Sequence, residues 1–183
     1  MDDLKAIARL KRGDIAGLSA LVARYQVRAV RTAYLITQNE STAQDIVQEA
    51  FLEVYRSIRQ FDSQRPFSPW FMRIVVNKAI KSSQQANQFY PLEMEEEEQD
   101  VYVDPMPGPE ALIENAATEQ AVWRALEALS PERRAVIVLR FYFEMSESEI
   151  SEQLGIPAGT VKSRLHTAKQ KLRYLLQGVM NDG

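Results

Sequence analysis

Between residues 86 and 118 the chain carries nine Asp or Glu and no Lys or Arg, with prolines at Pro91, Pro105, Pro107 and Pro109. Like charges repel and proline stiffens the backbone, so this stretch reads as an extended linker. It divides the chain. Residues 1–85 hold 13 cations against 8 carboxylates and residues 119–183 hold 9 against 8, so the net charge of −3 comes from the middle. With 183 residues and 45% hydrophobic content, each flank has enough apolar material for a small core. The expected organisation is a domain over 1–85, an acidic linker over 86–111 and a second domain over 112–183. Phe89, Tyr90, Val101 and Tyr102 give the linker docking side chains. Glu95 to Glu98 offer a conceivable metal site, although consecutive carboxylates on a flexible strand are more often simply solvated.

Both flanks read as helices, so the expected fold class is all-α. In the first, Leu18, Leu21, Val22, Tyr25, Ala29, Ala33 and Ile36 recur at three- and four-residue steps, and Gly13 followed by Asp14 stops one helix and caps the next. Ser41 with Gln44 suggests a capping box for a third helix, whose buried stripe is Ala43, Ile46, Val47, Ala50, Val54 and Ile58. Its other face collects Asp45, Gln48, Glu49, Leu52 and Arg56, which sets a large leucine among carboxylates. That face reads either as a solvated surface with a stray leucine or as a docking surface for a partner.

The run FDSQRPFSP, from Phe61 to Pro69, is a loop, after which Ser68 caps and Pro69 begins a fourth helix. The polar stripe of that helix is Arg73, Asn77, Lys81 and Gln84, cations and amides without a carboxylate. Beside an aromatic-bearing loop, such a stripe suits a nucleic-acid backbone and an unstacked base. A solvated basic face over core aromatics fits equally well.

The C-terminal flank carries the most specific pattern. After Leu112, Ala116, Trp123, Leu126 and Leu129, Ser130-Pro131 opens a helix over PERRAVIVLRFYFE. Ser146 and Glu149 then form a capping box for a short helix with Ile150 and Leu154, Gly155-Ile156-Pro157 breaks it, and Val161, Leu165, Ala168, Leu172 and Leu175 define a long second helix. This is helix-turn-helix spacing. Burying Val161, Leu165 and Ala168 turns Thr160, Lys162, Ser163, His166, Thr167 and Gln170 outward. From Gly155 to Gln177 there are five cations, Lys162, Arg164, Lys169, Lys171 and Arg173, and no acid. Such a surface attracts phosphates although the whole chain is acidic.

With no cysteine and one histidine, disulfides and Cys/His zinc sites are excluded, and neither a hydrolytic triad nor a phosphate-cradling glycine loop is present. No catalytic residue, cofactor or metal is expected. The first residues lack a signal-peptide core and the longest aliphatic run, Ala135 to Leu139, is too short for a bilayer, so a cytoplasmic location is expected.

LSPERRAVIVLRFYFEMSESEISEQLGIPAGTVKSRLHTAKQKLR resembles region four of the extracytoplasmic-function (ECF) group of bacterial RNA polymerase sigma factors, with GTVKSR especially diagnostic. DIVQEAFLEVYRSIRQFD followed by FSPWFMRIVVNKA resembles region two of the same family, in the same order. Together the likenesses span roughly residues 14–85 and 112–176. The resemblance implies that Asp45, Gln48, Glu49, Leu52 and Arg56 dock on core RNA polymerase, at the clamp helices of its largest subunit. It implies that the Phe61–Pro69 loop captures a base flipped from the minus-ten element, with Phe61, Arg65, Phe67, Trp70, Arg73, Asn77 and Lys81 at that strand. Thr160, Lys162, Ser163, Arg164, His166, Thr167 and Lys169 then meet the minus-thirty-five element, and the acidic linker threads toward the polymerase's active-site and RNA-exit channels.

An anti-sigma factor, often membrane-bound, is a further implied partner. The chain departs from the family's habit at Lys81-Ser82-Ser83-Gln84-Gln85, where an acid followed by arginines is frequent, and at Thr167, often arginine. On the residues alone, two rivals remain: a helix-turn-helix regulator acting without polymerase, and an adaptor whose helices bind only protein.

Overall fold

The computed structural model describes residues 2–88 and 119–181, and every regular element among them is helical. Helix α1 (Asp3–Lys11) starts where the Asp2 carboxylate accepts the Lys5 amide at 2.8 Å, satisfying one of the free donors of a first turn. Gly13, with φ +85°, turns the chain, and the Asp14 carboxylate accepts the Ala16 amide at 3.0 Å as α2 (Ala16–Thr37) begins. The two helices cross closely at Gly17, where a β-carbon would lie 2.3 Å from the Ala6 carbonyl oxygen.

Helix α3 (Glu40–Ser57) is capped by Asn39, whose side chain accepts the Thr42 amide at 2.8 Å. The expected Ser41 cap is therefore displaced by two residues: Asn39 sits in extended backbone and reaches the free amide first, so Ser41 is already inside the helix. A 3-10 turn (Ile58–Gln60) leads to the loop, and α4 (Phe67–Gln88) begins at Phe67 rather than Pro69. Pro69 then occupies the first turn, where amides lack intrahelical partners and its missing donor is harmless.

The expected stripe of α3 is wholly core, whereas that of α2 is core only in part: Leu18, Val22 and Tyr25 are half-buried, and Leu18 and Val22 line a groove beside α3. Leu21, Ala29, Ala33 and Ile36 of α2 meet all six predicted α3 positions and Phe71, Val75, Val76 and Ala79 of α4, every one of them buried. Each large apolar side chain so buried contributes about 1.5–3 kcal/mol.

In the C-terminal part, α5 (Glu119–Glu127) precedes α6 (Pro131–Ile137), which Ser130 caps with Pro131 at its first position. The single helix expected over PERRAVIVLRFYFE ends at Ile137 and widens into a π turn (Val138–Tyr142), closed by the Arg140 guanidinium on the Met145 carbonyl at 2.9 Å. The widened turn sends the neighbouring aromatics to different partners: Phe141 lies under Lys169, Tyr142 under Arg31 and Phe143 under Arg28. Helix α7 (Glu147–Leu154) and α8 (Ala158–Asn181) complete the chain. Helix α6 packs on α2 and α4, and α7 on α4, so the two helical groups touch. The expected linker over 86–111, including Phe89, Tyr90, Glu95 to Glu98, Val101 and Tyr102, lies almost wholly outside the described residues, as do Leu112 and Ala116.

Candidate nucleic-acid and partner interfaces

Helix α3 presents two unlike faces because its apolar residues repeat at helical spacing. Opposite the buried stripe, Asp45, Gln48, Glu49, Leu52 and Arg56 are all exposed, Leu52 to 51%. Lys78 of α4 reaches this surface at 3.5 Å from Glu49 and 3.2 Å from Glu53, which fixes the carboxylates without covering the leucine. Leu52 also lines a groove of about 1000 Å³ between α2 and α3, walled by Leu18, Val22, Val30, Tyr34 and Phe51. Val27 shares that groove and is 80% exposed. An apolar trough rimmed by charges is the form of a helix-docking surface.

The loop before α4 stands on an aromatic base. Phe61 and Phe67, expected to face nucleic acid, are only 5% and 3% exposed. Phe61 packs 4.6 Å from Trp70 and Phe67 lies 5.3 Å from Tyr25 and 5.6 Å from Phe71, between ring centroids. They hold the loop from beneath, because burying two phenylalanine rings in the core outweighs leaving them in water. The groups left outside are Ser63, Gln64, Arg65 and the half-buried Trp70. Lys11 ties the loop to α1, donating to the Phe61 carbonyl at 2.6 Å and the Ser63 hydroxyl at 2.9 Å. Arg73, Asn77, Lys81 and Gln84 are exposed along α4 as expected.

The helix-turn-helix geometry follows from local chemistry. Ser146 accepts the Glu149 amide at 3.2 Å while the Glu149 carboxylate accepts the Ser146 amide at 2.8 Å, a complete capping box. These bonds hold the Glu149 carboxyl below its ordinary value. Gly155 ends α7 with φ +69°, the left-handed conformation that glycine adopts without a steric penalty. Across the turn, the Ser151 hydroxyl donates to the Ile156 carbonyl at 2.6 Å. In α8, Val161, Leu165, Ala168 and Leu172 are buried, Lys162 and His166 are exposed, and Thr160, Ser163, Arg164, Thr167 and Lys169 are half-buried. The outward row faces away from the module's core as the sequence requires. Within it, the Thr167 hydroxyl donates to the Ser163 carbonyl at 3.2 Å and the Lys169 ammonium lies 5.6 Å from the Phe141 ring centroid.

Two modules, one with an apolar trough beside α3 and one with a helix-turn-helix whose second helix carries an outward basic row, match known sequence families in the same order. Residues 21–88 match the family described as Sigma-70 region 2, and residues 119–172 match Sigma-70, region 4. The chain is 32% identical over 179 residues to the ECF RNA polymerase sigma factor SigW of Bacillus subtilis, covering 94% of this chain and 96% of that one. The chain belongs to the ECF family of RNA polymerase sigma factors.

The ECF RNA polymerase sigma-E factor of Haemophilus influenzae is 29% identical over 188 residues, covering 98% of each chain. CnrH, solved in complex with the cytosolic domain of CnrY, superposes with a TM-score of 0.64 at 26% identity, covering 96% of this sigma factor and 97% of that chain. As a sigma factor the chain binds RNA polymerase and recognises promoters through its region-two and region-four modules. Its function is binding, not catalysis.

Sequence reasoning missed Lys11 as the strap of the sigma factor's loop, since a lone lysine at a helix end carries no signal of a contact fifty residues away. It also missed Val27. That residue lies off the buried stripe of α2, and an unexplained valine on a polar face was the available clue.

Proposed function

We propose that the exposed α3 face and the trough beside it form the surface that docks on core RNA polymerase, with Asp45, Gln48, Glu49, Leu52 and Arg56 at its contact. The loop from Asp62 to Pro66 captures an unstacked base of the minus-ten element. Arg65 and Trp70 stand at the loop, and Arg73, Asn77 and Lys81 follow the strand along α4. Phe61 and Phe67 support that loop from the core. Helix α8 enters the major groove at the minus-thirty-five element, where Lys162 donates to guanine edges and Thr160, Ser163, Arg164, His166, Thr167 and Lys169 meet bases and phosphates. Strand opening needs no bond chemistry: lost stacking is compensated by aromatic contact and backbone neutralisation on one strand.

The observation that carries this reading is the register of α8, which buries Val161, Leu165 and Ala168 and leaves Lys162 and His166 outside. We further propose the domain division 1–85, 86–111 and 112–183, a cytoplasmic location with nucleoid association when active, and regulation by an anti-sigma factor. Membrane anchoring of that regulator would hold the chain at the membrane. The solved complex of CnrH with the cytosolic domain of CnrY supports a protein partner of this kind.

The test of polymerase docking is Asp45→Arg with Glu49→Arg, assayed by co-elution with purified core polymerase. Both positions are exposed, so the variant should fold as the wild type does, with binding weakened at least tenfold. Unchanged co-elution would remove α3 from the interface.

A further inference from the structure

We propose that Phe141 is a positioning residue for minus-thirty-five binding: its ring, turned toward α8 by the π turn, holds the Lys169 ammonium at the edge of the major groove. The proposal rests on the reading of α8 as the recognition helix and adds a residue that itself touches no DNA.

A π turn is rare, and such turns are found most often at functional sites. The turn at Val138–Tyr142 is held at both ends. It grows from α6, which Arg134 fixes by donating to the carbonyls of Leu126 at 2.9 Å and Leu129 at 2.8 Å. On its far side Glu144 takes φ +54°, a left-handed conformation uncommon outside glycine. The Met145 amide then returns to the Leu139 carbonyl at 3.2 Å, and the Arg140 guanidinium donates to the Met145 carbonyl at 2.9 Å. Backbone held in so unfavourable a conformation persists only where its surroundings fix it. Neither Arg140 nor Glu144 stands on the proposed DNA surfaces, so the turn acts through the side chains it aims. With Val138 and Leu139 buried, Phe141 is left half-buried against α8.

There the Lys169 ammonium lies 5.6 Å from the ring centroid, inside the range over which an aromatic face attracts a cation. Lys169 follows Lys162 by seven residues of α8, which places it about 20° from the same line and about 10 Å further along the axis. A major groove is about 12 Å wide. With Lys162 inside the groove, Lys169 therefore stands at its bank, where the phosphates run. An unrestrained lysine samples many rotamers and loses that freedom when it binds a phosphate. The ring beneath Lys169 restricts the rotamers beforehand. Both residues lie within the span that matches region 4, so the pair belongs to the recognition module itself.

The test is a double-mutant cycle on the full chain assembled with core polymerase. The probe is a promoter duplex carrying both elements, taken from a library as the fragment that the wild-type holoenzyme retains most tightly. The same fragment cut away upstream of the minus-ten element serves beside it. Phe141→Leu keeps an apolar side chain but removes the ring face, and should weaken binding of the full duplex by about two- to fivefold, the ordinary strength of a partly exposed cation–π pair. Phe141→Tyr keeps the ring and should bind as the wild type does. Lys169→Met should weaken binding at least as much and lower the slope of log affinity against log salt by about 0.9, the signature of one lost phosphate contact. On the Lys169→Met background, Phe141→Leu should add nothing, and every variant should bind the truncated fragment normally.

An equal loss from Phe141→Leu with and without Lys169, or a loss on the truncated fragment, makes the ring a packing residue and overturns the proposal. Wild-type binding by Phe141→Leu or by Lys169→Met overturns it too. Failure of the underlying reading looks different: Lys162→Glu with Arg164→Glu would then bind the full duplex as tightly as the wild type.

Discussion

The Lys11 ammonium lies 2.6 Å from the carbonyl oxygen of Phe61, joining the end of α1 to the loop that precedes α4. A charge-assisted bond to a main-chain carbonyl fixes the loop's path rather than its chemistry. Replacing Lys11 with Ala should cost about 1 kcal/mol in global stability, the ordinary worth of such a bond at a half-exposed site. Promoter opening should suffer more than minus-thirty-five binding. Denaturant titration reads the first effect, and permanganate reactivity of unpaired thymines against footprinting of the upstream element reads the second.

The first turn of α7 depends on Ser146 and Glu149. Ser146→Ala should lower stability by about 1 kcal/mol through loss of the cap. The Glu149 carboxyl is held below its ordinary value, mainly by the Ser146 amide. Its contribution is therefore present above the ordinary carboxylate range and disappears as pH falls through the depressed folded value. Stability curves from pH 7 to pH 2 should show a shallower acid decline in Glu149→Gln than in the wild type.

Two glycines differ in why they resist change. A β-carbon at Gly17 would overlap the Ala6 carbonyl oxygen and stand 2.7 Å from the Leu10 amide nitrogen, both backbone atoms, so Gly17→Ala must push α1 off α2. A loss of about 2–3 kcal/mol in chemical denaturation is expected. At Gly155 the left-handed backbone itself costs about 1–2 kcal/mol for alanine, while the neighbouring Arg73 tip can swing away. Gly155→Ala should thus be the milder of the two.

The Tyr25 phenol is pushed up to about 12, first by burial and then by its hydrogen bond to the Asp3 carboxylate. The folded value lies above the unfolded value of 10.0, so this contribution is whole below pH 10 and is lost as pH rises toward 12. Ultraviolet titration of the folded chain should show a tyrosinate component with a midpoint near 12 that Tyr25→Phe removes.

Much of this was legible because helical periodicity is a local code. The two faces of α3 follow from residue spacing alone, and so does the register of α8, where Val161 and Leu165 turn inward and Lys162 outward. The capping box at Ser146 was equally readable, since its two partners stand three residues apart. What escaped the sequence depends on the third dimension. Nothing local separates a phenylalanine that stacks on a base from one that packs beneath the same loop, so the spacing left both readings open for Phe61 and Phe67, which are buried in the free chain. Arg134 and Lys11 bond main-chain carbonyls, and a carbonyl has no sequence signature. The cap of α3 went to Asn39 because backbone conformation, rather than the better motif at Ser41, decides which side chain reaches the free amide.

Charge reversal on the recognition helix tests the central claim most directly. Lys162→Glu with Arg164→Glu, assayed by run-off transcription from a promoter-library template with purified core polymerase, should abolish factor-dependent transcripts while the chain still co-elutes with the polymerase. Transcription at the wild-type level would contradict the assignment of α8 as the promoter-reading helix.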